Sequence, residues 1–204
     1  LTDKTPVRLY FANTDNTKLK LEIRYIDPED ANASTSNLAS IIVRELIKGP
    51  SDETSFKRTI PAEAKLRTPV SISDKVATVD MSKEFKTKHP GGKDAEKMTI
   101  YSIVNSLTEL EGIEKVKFTI AGKSQKEYMG NFQFNTMFPR STQLISKEAA
   151  QLNTGEDNDI LNRENANEGL PEGGIMDGEN GTPASRDTTE TSGQDADTID
   201  GLEI

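Results

Sequence analysis

Phe138 is the last aromatic residue of this 204-residue chain, and just beyond it the charge changes sign. Residues 1–140 carry 22 Lys and Arg against 19 Asp and Glu, net +3. Residues 141–204 carry 3 against 15, net −12. This second stretch also gathers Gly, Asn, Thr and Ser, as in Asn153-Thr154-Gly155-Glu156-Asp157-Asn158-Asp159. With no ring to bury, it has little to set against the ~1–2 kcal/mol per residue that backbone ordering costs. A hydrophobic core is therefore expected in the first part only, and about 140 residues suffice for one. The expected division is an N-terminal linker over 1–6, one folded domain over 7–140, and an acidic, largely disordered tail over 141–204. A short helix fits within Thr142–Leu152 at the start of that tail.

Several function classes fall away at once. No run of about 18 apolar residues exists to cross a membrane as a helix. The chain lacks an initiator Met and an apolar leader, so Leu1 reads as the start of a processed or truncated chain. Cys is absent, which excludes disulfides, thiolate nucleophiles and Cys-ligated metals. A net +3 body is too weakly basic for a nucleic-acid footprint, and the acidic stretch would repel phosphates.

Within 7–140 the hydrophobic period switches repeatedly. Val7–Phe11 is a short β run, followed by the turn cluster Asn13-Thr14-Asp15-Asn16. Leu19, Leu21, Ile23 and Tyr25 then alternate with Lys20, Glu22 and Arg24, which marks the hairpin partner with its charged side outward. Ser34 or Thr35 can cap a helix carrying Leu38, Ile41, Ile42 and Leu46, and Gly49-Pro50 stops it. A polar loop over 51–65 is pinned by Phe56, Ile60 and Pro61. Val70-Ser71-Ile72 and Val76–Met81 form a second hairpin. A second long helix runs from about Asp94 to Leu110, and Val116, Phe118 and Ile120 form a last strand with Lys115, Lys117 and Thr119 outward. The order is β-β-α-β-β-α-β. No strand is apolar on both faces for long, which excludes a doubly wound parallel sheet. The expected fold is of the α/β kind, α+β type: a small, mostly antiparallel sheet with two helices packed on one face.

Residues with chemistry are few. His89 is the one histidine, in the Lys/Pro/Gly stretch Lys86–Gly92, and reads as a solvated loop residue. Without a second His, a His-based zinc site is excluded. Gly91-Gly92-Lys93 lacks the spacing and the Ser or Thr of a phosphate loop, since Asp94 follows, and reads as a flexible helix start. Asp80 ends a strand beside Ser82 and reads as a turn or cap residue. Asp195–Gly201 resembles a calcium loop, but its Gly falls one place late and no Glu follows at the required position. Asn105 within an apolar helix is either an anchor from helix to loop or an interface contact, and Thr108-Glu109 reads as the wet edge of that helix near Gly112. No catalytic, cofactor-binding or metal-ligating residue is assigned, no cofactor is expected, and the binding residues stay open.

Three blocks carry a resemblance. Val43–Pro50 looks like the V-x-x-L-h-x-G-P end of the first helix in the GerMN domain of GerM-type sporulation and spore germination lipoproteins. Val76–Phe85, after Leu66 and Val70–Ile72, is similar to its V-A-T-V-D-h-S-x-x-F hairpin. Tyr101–Leu110 followed by Val116–Lys123 resembles its Y-S-I-V-N-T-L-T-E-h … V-x-F-x-I-x-G segment. Val7–Phe11 matches the opening strand, so the resemblance covers about 7–140 in one GerMN-like copy. Two departures stand out. The hairpin tip is Asp74-Lys75, where the family tends to Asp-Gly or Asn-Gly, which predicts a wider turn. The acidic tail has no counterpart.

The resemblance implies a module similar to the ring-building motifs of secretion and sporulation machines. It implies a non-enzymatic assembly or adaptor protein of an extracytoplasmic sporulation or germination complex. The implied partners are proteins of an envelope or mother cell–forespore channel complex. Membrane attachment would come only through a lipid anchor upstream of Leu1. The alternative is a ligand-binding or cell-wall-associated module that regulates a germination or cell-envelope enzyme; an unrecognised hydrolase comes last.

Overall fold

The computed structural model describes residues 3–148 and the backbone of residues 151–152. Strand β1 (Thr5–Ala12) pairs antiparallel with β2 (Leu19–Ile26), joined by the expected turn. There the Asn13 side-chain oxygen accepts from the amides of Thr17 and Lys18. A short helix α1 (Pro28–Asn32) leads into α2 (Thr35–Lys48). Ser34 caps α2 as expected, its hydroxyl accepting from Asn37 N at 3.0 Å.

Strands β3 (Ser71–Ser73) and β4 (Val76–Met81) form the second hairpin, and α3 (Glu84–Thr87) then precedes α4 (Lys93–Leu107). Strand β5 (Lys115–Ile120) returns beside β4 in parallel, because α4 carries the chain back across the fold between them. Strand β6 (Phe138–Pro139) adds antiparallel to β5, and β7 (Gln151–Leu152) lies parallel to β2. The α+β class is as expected, with α2 and α4 as its long helices. Its strands, however, divide into two sheets, β1-β2-β7 and β3-β4-β5-β6, rather than one.

The core runs between the sheets and the helices. Leu9 and Phe11 of β1, Ile42 and Leu46 of α2, Ile103 and Leu107 of α4, and Val79 and Phe118 of the second sheet all meet in it. A satellite cluster of Tyr10, Ala12, Leu19 and Met98 fills the other side of β1. Between β5 and β6 the chain folds Tyr128 and Phe134 back onto Phe118, with ring centroids 4.9 Å apart for Tyr128–Phe134 and 5.0 Å for Phe118–Phe134.

Three expectations change. The charged side of β2 faces inward: Glu22 is 1% exposed, whereas Tyr25 of the apolar set is 39% exposed. Partners explain this, because Arg24 joins Glu22 and donates to Glu45 Oε2 at 3.0 Å and to Gly49 O at 2.9 Å. The Asp74-Lys75 turn is no wider than two residues. Ser73 pairs with Val76, and both tip residues take left-handed backbone, φ 50° and 63°. Glu109 is not on a wet edge; it accepts from Tyr10 OH at 2.7 Å and Arg140 Nη2 at 2.6 Å.

Packing continues past residue 140. A 3-10 turn over Thr142–Leu144 is followed by Ser146 N, which donates to Leu19 O at 2.7 Å. The expected acidic tail from 153 onward, Asp195–Gly201 included, lies outside the described residues.

Candidate functional site

The polar residues of α4 meet the backbone of other elements. Ser102 Oγ donates to Tyr10 O at 2.5 Å, and Tyr10 N donates to Ser106 Oγ at 2.9 Å. Two serines one helical turn apart thus satisfy both backbone groups that Tyr10 turns away from β2. Lys57 pairs with Ala12 two residues on, so this edge is covered where it would otherwise invite a strand. Asn105 is the helix-to-loop anchor: its amide donates to Ser141 O at 2.9 Å and its oxygen accepts from Ser141 N at 3.0 Å. Burial opposes the charge on Glu109, yet its hydrogen bonds from Tyr10, Arg140 and Arg8 hold its carboxyl below the usual value.

The end of α2 is held by two arginines. Arg58 donates to Ile47 O at 2.6 Å and Lys48 O at 2.8 Å, taking carbonyls that a helix end leaves without partners. Its guanidinium lies so close to Gly49 that a Cβ there would sit 2.6 Å from Arg58 Nη2. Glycine is required at this place in the first block for that reason, as well as for its φ of 91°.

Asp80 joins the second and third blocks. Its Oδ1 accepts from Thr119 Oγ1 and from Gly122 N, both at 2.9 Å, and its Oδ2 accepts from Arg67 Nη1 at 2.8 Å. All these contacts are internal, which fits the turn or cap role. Gly122 at φ 77° follows Ala121 at φ 49°, and together they turn the chain so that Ile120 and Lys123 pair.

His89 is not solvated. It is 8% exposed, with its ring edge-on to Tyr128 at 5.5 Å. Gly91 N donates to Nδ1 at 2.9 Å, so the proton sits on Nε2, which donates to Thr99 Oγ1 at 2.8 Å. Thr99 in turn donates to Thr59 O. Burial pulls the His89 pKa below its usual value, against the opposing charge of Glu96. Glu96 is fully buried; Asn131 donates to its Oε2, and its Oε1 has no partner among the described residues. His89 lines a cleft of about 510 Å³ between the loops Lys57–Glu63 and Lys88–Gly91. Gly91 and Gly92, at φ 80° and 97°, form the start of α4, with Lys93 its first residue and Asp94 in its first turn. Among the described residues no three His, Asp or Glu side chains are placed to hold a metal ion.

The outer face of β5 is an exposed polar surface. Lys115 and Lys117 are exposed and Thr119 half-buried, while Val116, Phe118 and Ile120 face the core. Their cross-strand partners Val76 and Thr78 are half-buried, and Ser71 and Ser73 of β3 continue the face as exposed residues. No ion pair involves Lys115 or Lys117 among the described residues. The burial of His89 and Glu96 escaped sequence reasoning; the one available hint was the spacing of Glu96 and Thr99 on a shared helix side.

A model of the family Germane, sporulation and spore germination, matches residues 8–126. The tandem GerMN domains of the sporulation protein GerM from Bacillus subtilis are 23% identical with a TM-score of 0.55. That match covers 72% of this chain and 48% of the other, so the chain spans about half the length of the tandem protein. The first GerMN domain of the same protein matches at 23% identity and TM-score 0.49, over 68% of this chain and 98% of that one. A chain from Clostridium perfringens assigned as a lipoprotein matches at 23% identity and TM-score 0.47, over 67% and 87%. No curated protein matches. The family match takes in more than half of the chain, from β1 to beyond the Asp80–Gly122 contact, and the chain belongs to the Germane family of sporulation and spore germination.

Proposed function

We propose that this protein is a non-enzymatic assembly or adaptor component of an extracytoplasmic sporulation or germination complex. Family membership supports the process. The observation that carries the role is the division of polar residues. Those of the family-like blocks, Asp80, Ser102, Asn105, Ser106 and Glu109, bind the protein's own backbone and side chains. Lys115 and Lys117, by contrast, are exposed on the sheet face and make no ion pair among the described residues. A flat polar face of this kind suits a charge-matched protein surface. In this reading one GerMN-like domain over 7–140 is followed by the acidic stretch 141–204. A lipid anchor upstream of Leu1 holds the protein outside the membrane, and its partners belong to an envelope or mother cell–forespore channel complex. No helix among the described residues is long and apolar enough to cross a membrane.

The cleft of about 510 Å³ beside His89 favours a second reading, a ligand-binding or cell-wall-associated regulatory module. Capture from sporulating cells separates the two. The tethered full chain should retain envelope proteins, and Lys115→Glu with Lys117→Glu should lose them. Binding to purified peptidoglycan that survives this double change would instead support the second reading.

A further inference from the structure

His89 is held by opposite hydrogen-bond roles at its two ring nitrogens, and only the neutral ring can serve both. Nδ1 accepts from Gly91 N at 2.9 Å, while Nε2 donates to Thr99 Oγ1 at 2.8 Å. An imidazolium has no acceptor. Its Nδ1 hydrogen would point at the Gly91 amide hydrogen, and the contact that closes the loop over Lys88–Gly92 would turn repulsive. Gly91 and Gly92, at φ 80° and 97°, face open space, with nothing within 4 Å of a Cβ position on either. That loop also forms one wall of the cleft.

We propose that His89 is an acid-sensitive latch: neutral, it pins the Gly91 amide and so closes the Lys88–Gly92 loop, and protonated, it keeps its hydrogen bond to Thr99 but frees Gly91 and lets that wall of the cleft open. The charged and titratable groups around it come from every neighbouring element. Glu96 of α4 is the acid whose charge favours the imidazolium, and its Oε1 lacks a partner among the described residues. Tyr128 presents its ring, with its hydroxyl turned away to Phe85 O at 2.7 Å. Lys88 adjoins His89 on the loop, and Lys57, Arg58 and Glu63 line the cleft on its other wall.

Burial outweighs Glu96, so the folded state takes the proton at a lower pH than the unfolded chain. The stability His89 contributes is complete above about pH 6.5, the ordinary histidine value, and is lost as pH falls from there through the lower folded value.

Amide hydrogen exchange of the full chain, expressed as protection factors, tests the latch. Between pH 7.5 and pH 5, protection at Gly91, whose amide donates to His89 Nδ1, should fall by about tenfold or more, while β1 and β2 stay protected. His89→Gln should remove that pH response. Where His89→Gln fails to fold, Glu96→Gln serves: losing the charge that favours the imidazolium should move the loop transition to lower pH. Unchanged protection at Gly91 in the native chain would overturn the proposal. So would a pH response that persists in folded His89→Gln, or a Glu96→Gln transition at the original pH.

Discussion

Glu22 and Arg24 of β2 lie against the end of α2 and Lys20 against the loop that follows it, whereas Lys115 and Lys117 of β5 are exposed. Both sets alternate with apolar residues at a period of two, and both look like the wet side of a strand. On β2 the neighbours reverse that assignment. The carbonyls at the end of α2, the Glu45 carboxylate and Ser51 offer Arg24 a full set of acceptors, and Glu22 accepts from Ser51 N at 2.9 Å. Lys20 Nζ lies 4.8 Å from the Phe56 ring centroid, over its face. On β5 no hydrogen bond or ion pair to the Lys115 or Lys117 side chain occurs among the described residues. A period-two pattern separates two faces; which of them is buried depends on whether the rest of the fold brings partners.

The comparison breaks first at Glu22. Glu22→Ala leaves Arg24 short of a carboxylate in a nearly dry site and should cost about 3 kcal/mol in urea unfolding. Lys117→Ala should stay within about 0.5 kcal/mol in the same experiment. A small loss for Glu22→Ala would mean that water reaches the cluster.

Acid should weaken the β2 side in the same way. Hydrogen bonds from Lys48 and Arg24 hold the Glu45 carboxyl below its ordinary 4.5 despite burial. A depressed carboxylate contributes stability above its unfolded value, and that contribution is lost as pH falls through the folded value. Thermal melts from pH 6 to pH 3 should therefore show the native chain losing stability below about 4.5, and less steeply in Glu45→Gln.

Ser106→Ala sharpens the picture at the edge of β1. It leaves Tyr10 N buried without its acceptor and should cost about 1–2 kcal/mol in urea unfolding. Lys75→Gly should act in the other direction. Lys75 holds φ 63° at a tight turn, and glycine there relieves about 1 kcal/mol of left-handed strain. A melting temperature that fails to rise would contradict the two-residue turn.

Much of the fold is legible in the residues because its signals are local. Ser34 caps within its own turn, Gly49-Pro50 stops α2, and the apolar set of β5 points inward as its alternation predicts. Asn105 was legible as an anchor because an amide inside an apolar helix must find a partner. What was hidden depends on distant residues. His89 is buried by Thr99, Tyr128 and the Thr59 carbonyl that Thr99 reaches, none of them near it in sequence. The parallel pairing of β4 with β5 follows from where α4 returns the chain, which periodicity does not encode. Asp74-Lys75 makes its tight turn even though lysine gives no left-handed preference.

The most direct test of the account is complementation by Lys115→Glu with Lys117→Glu, measured as spore yield alongside the melting temperature of the purified chain. The account predicts a melting temperature within a few degrees of the native chain, because both side chains stand in solvent, and a failure to restore sporulation. Full restoration by the folded double variant would show that the exposed face of β5 is not where this protein meets its partner.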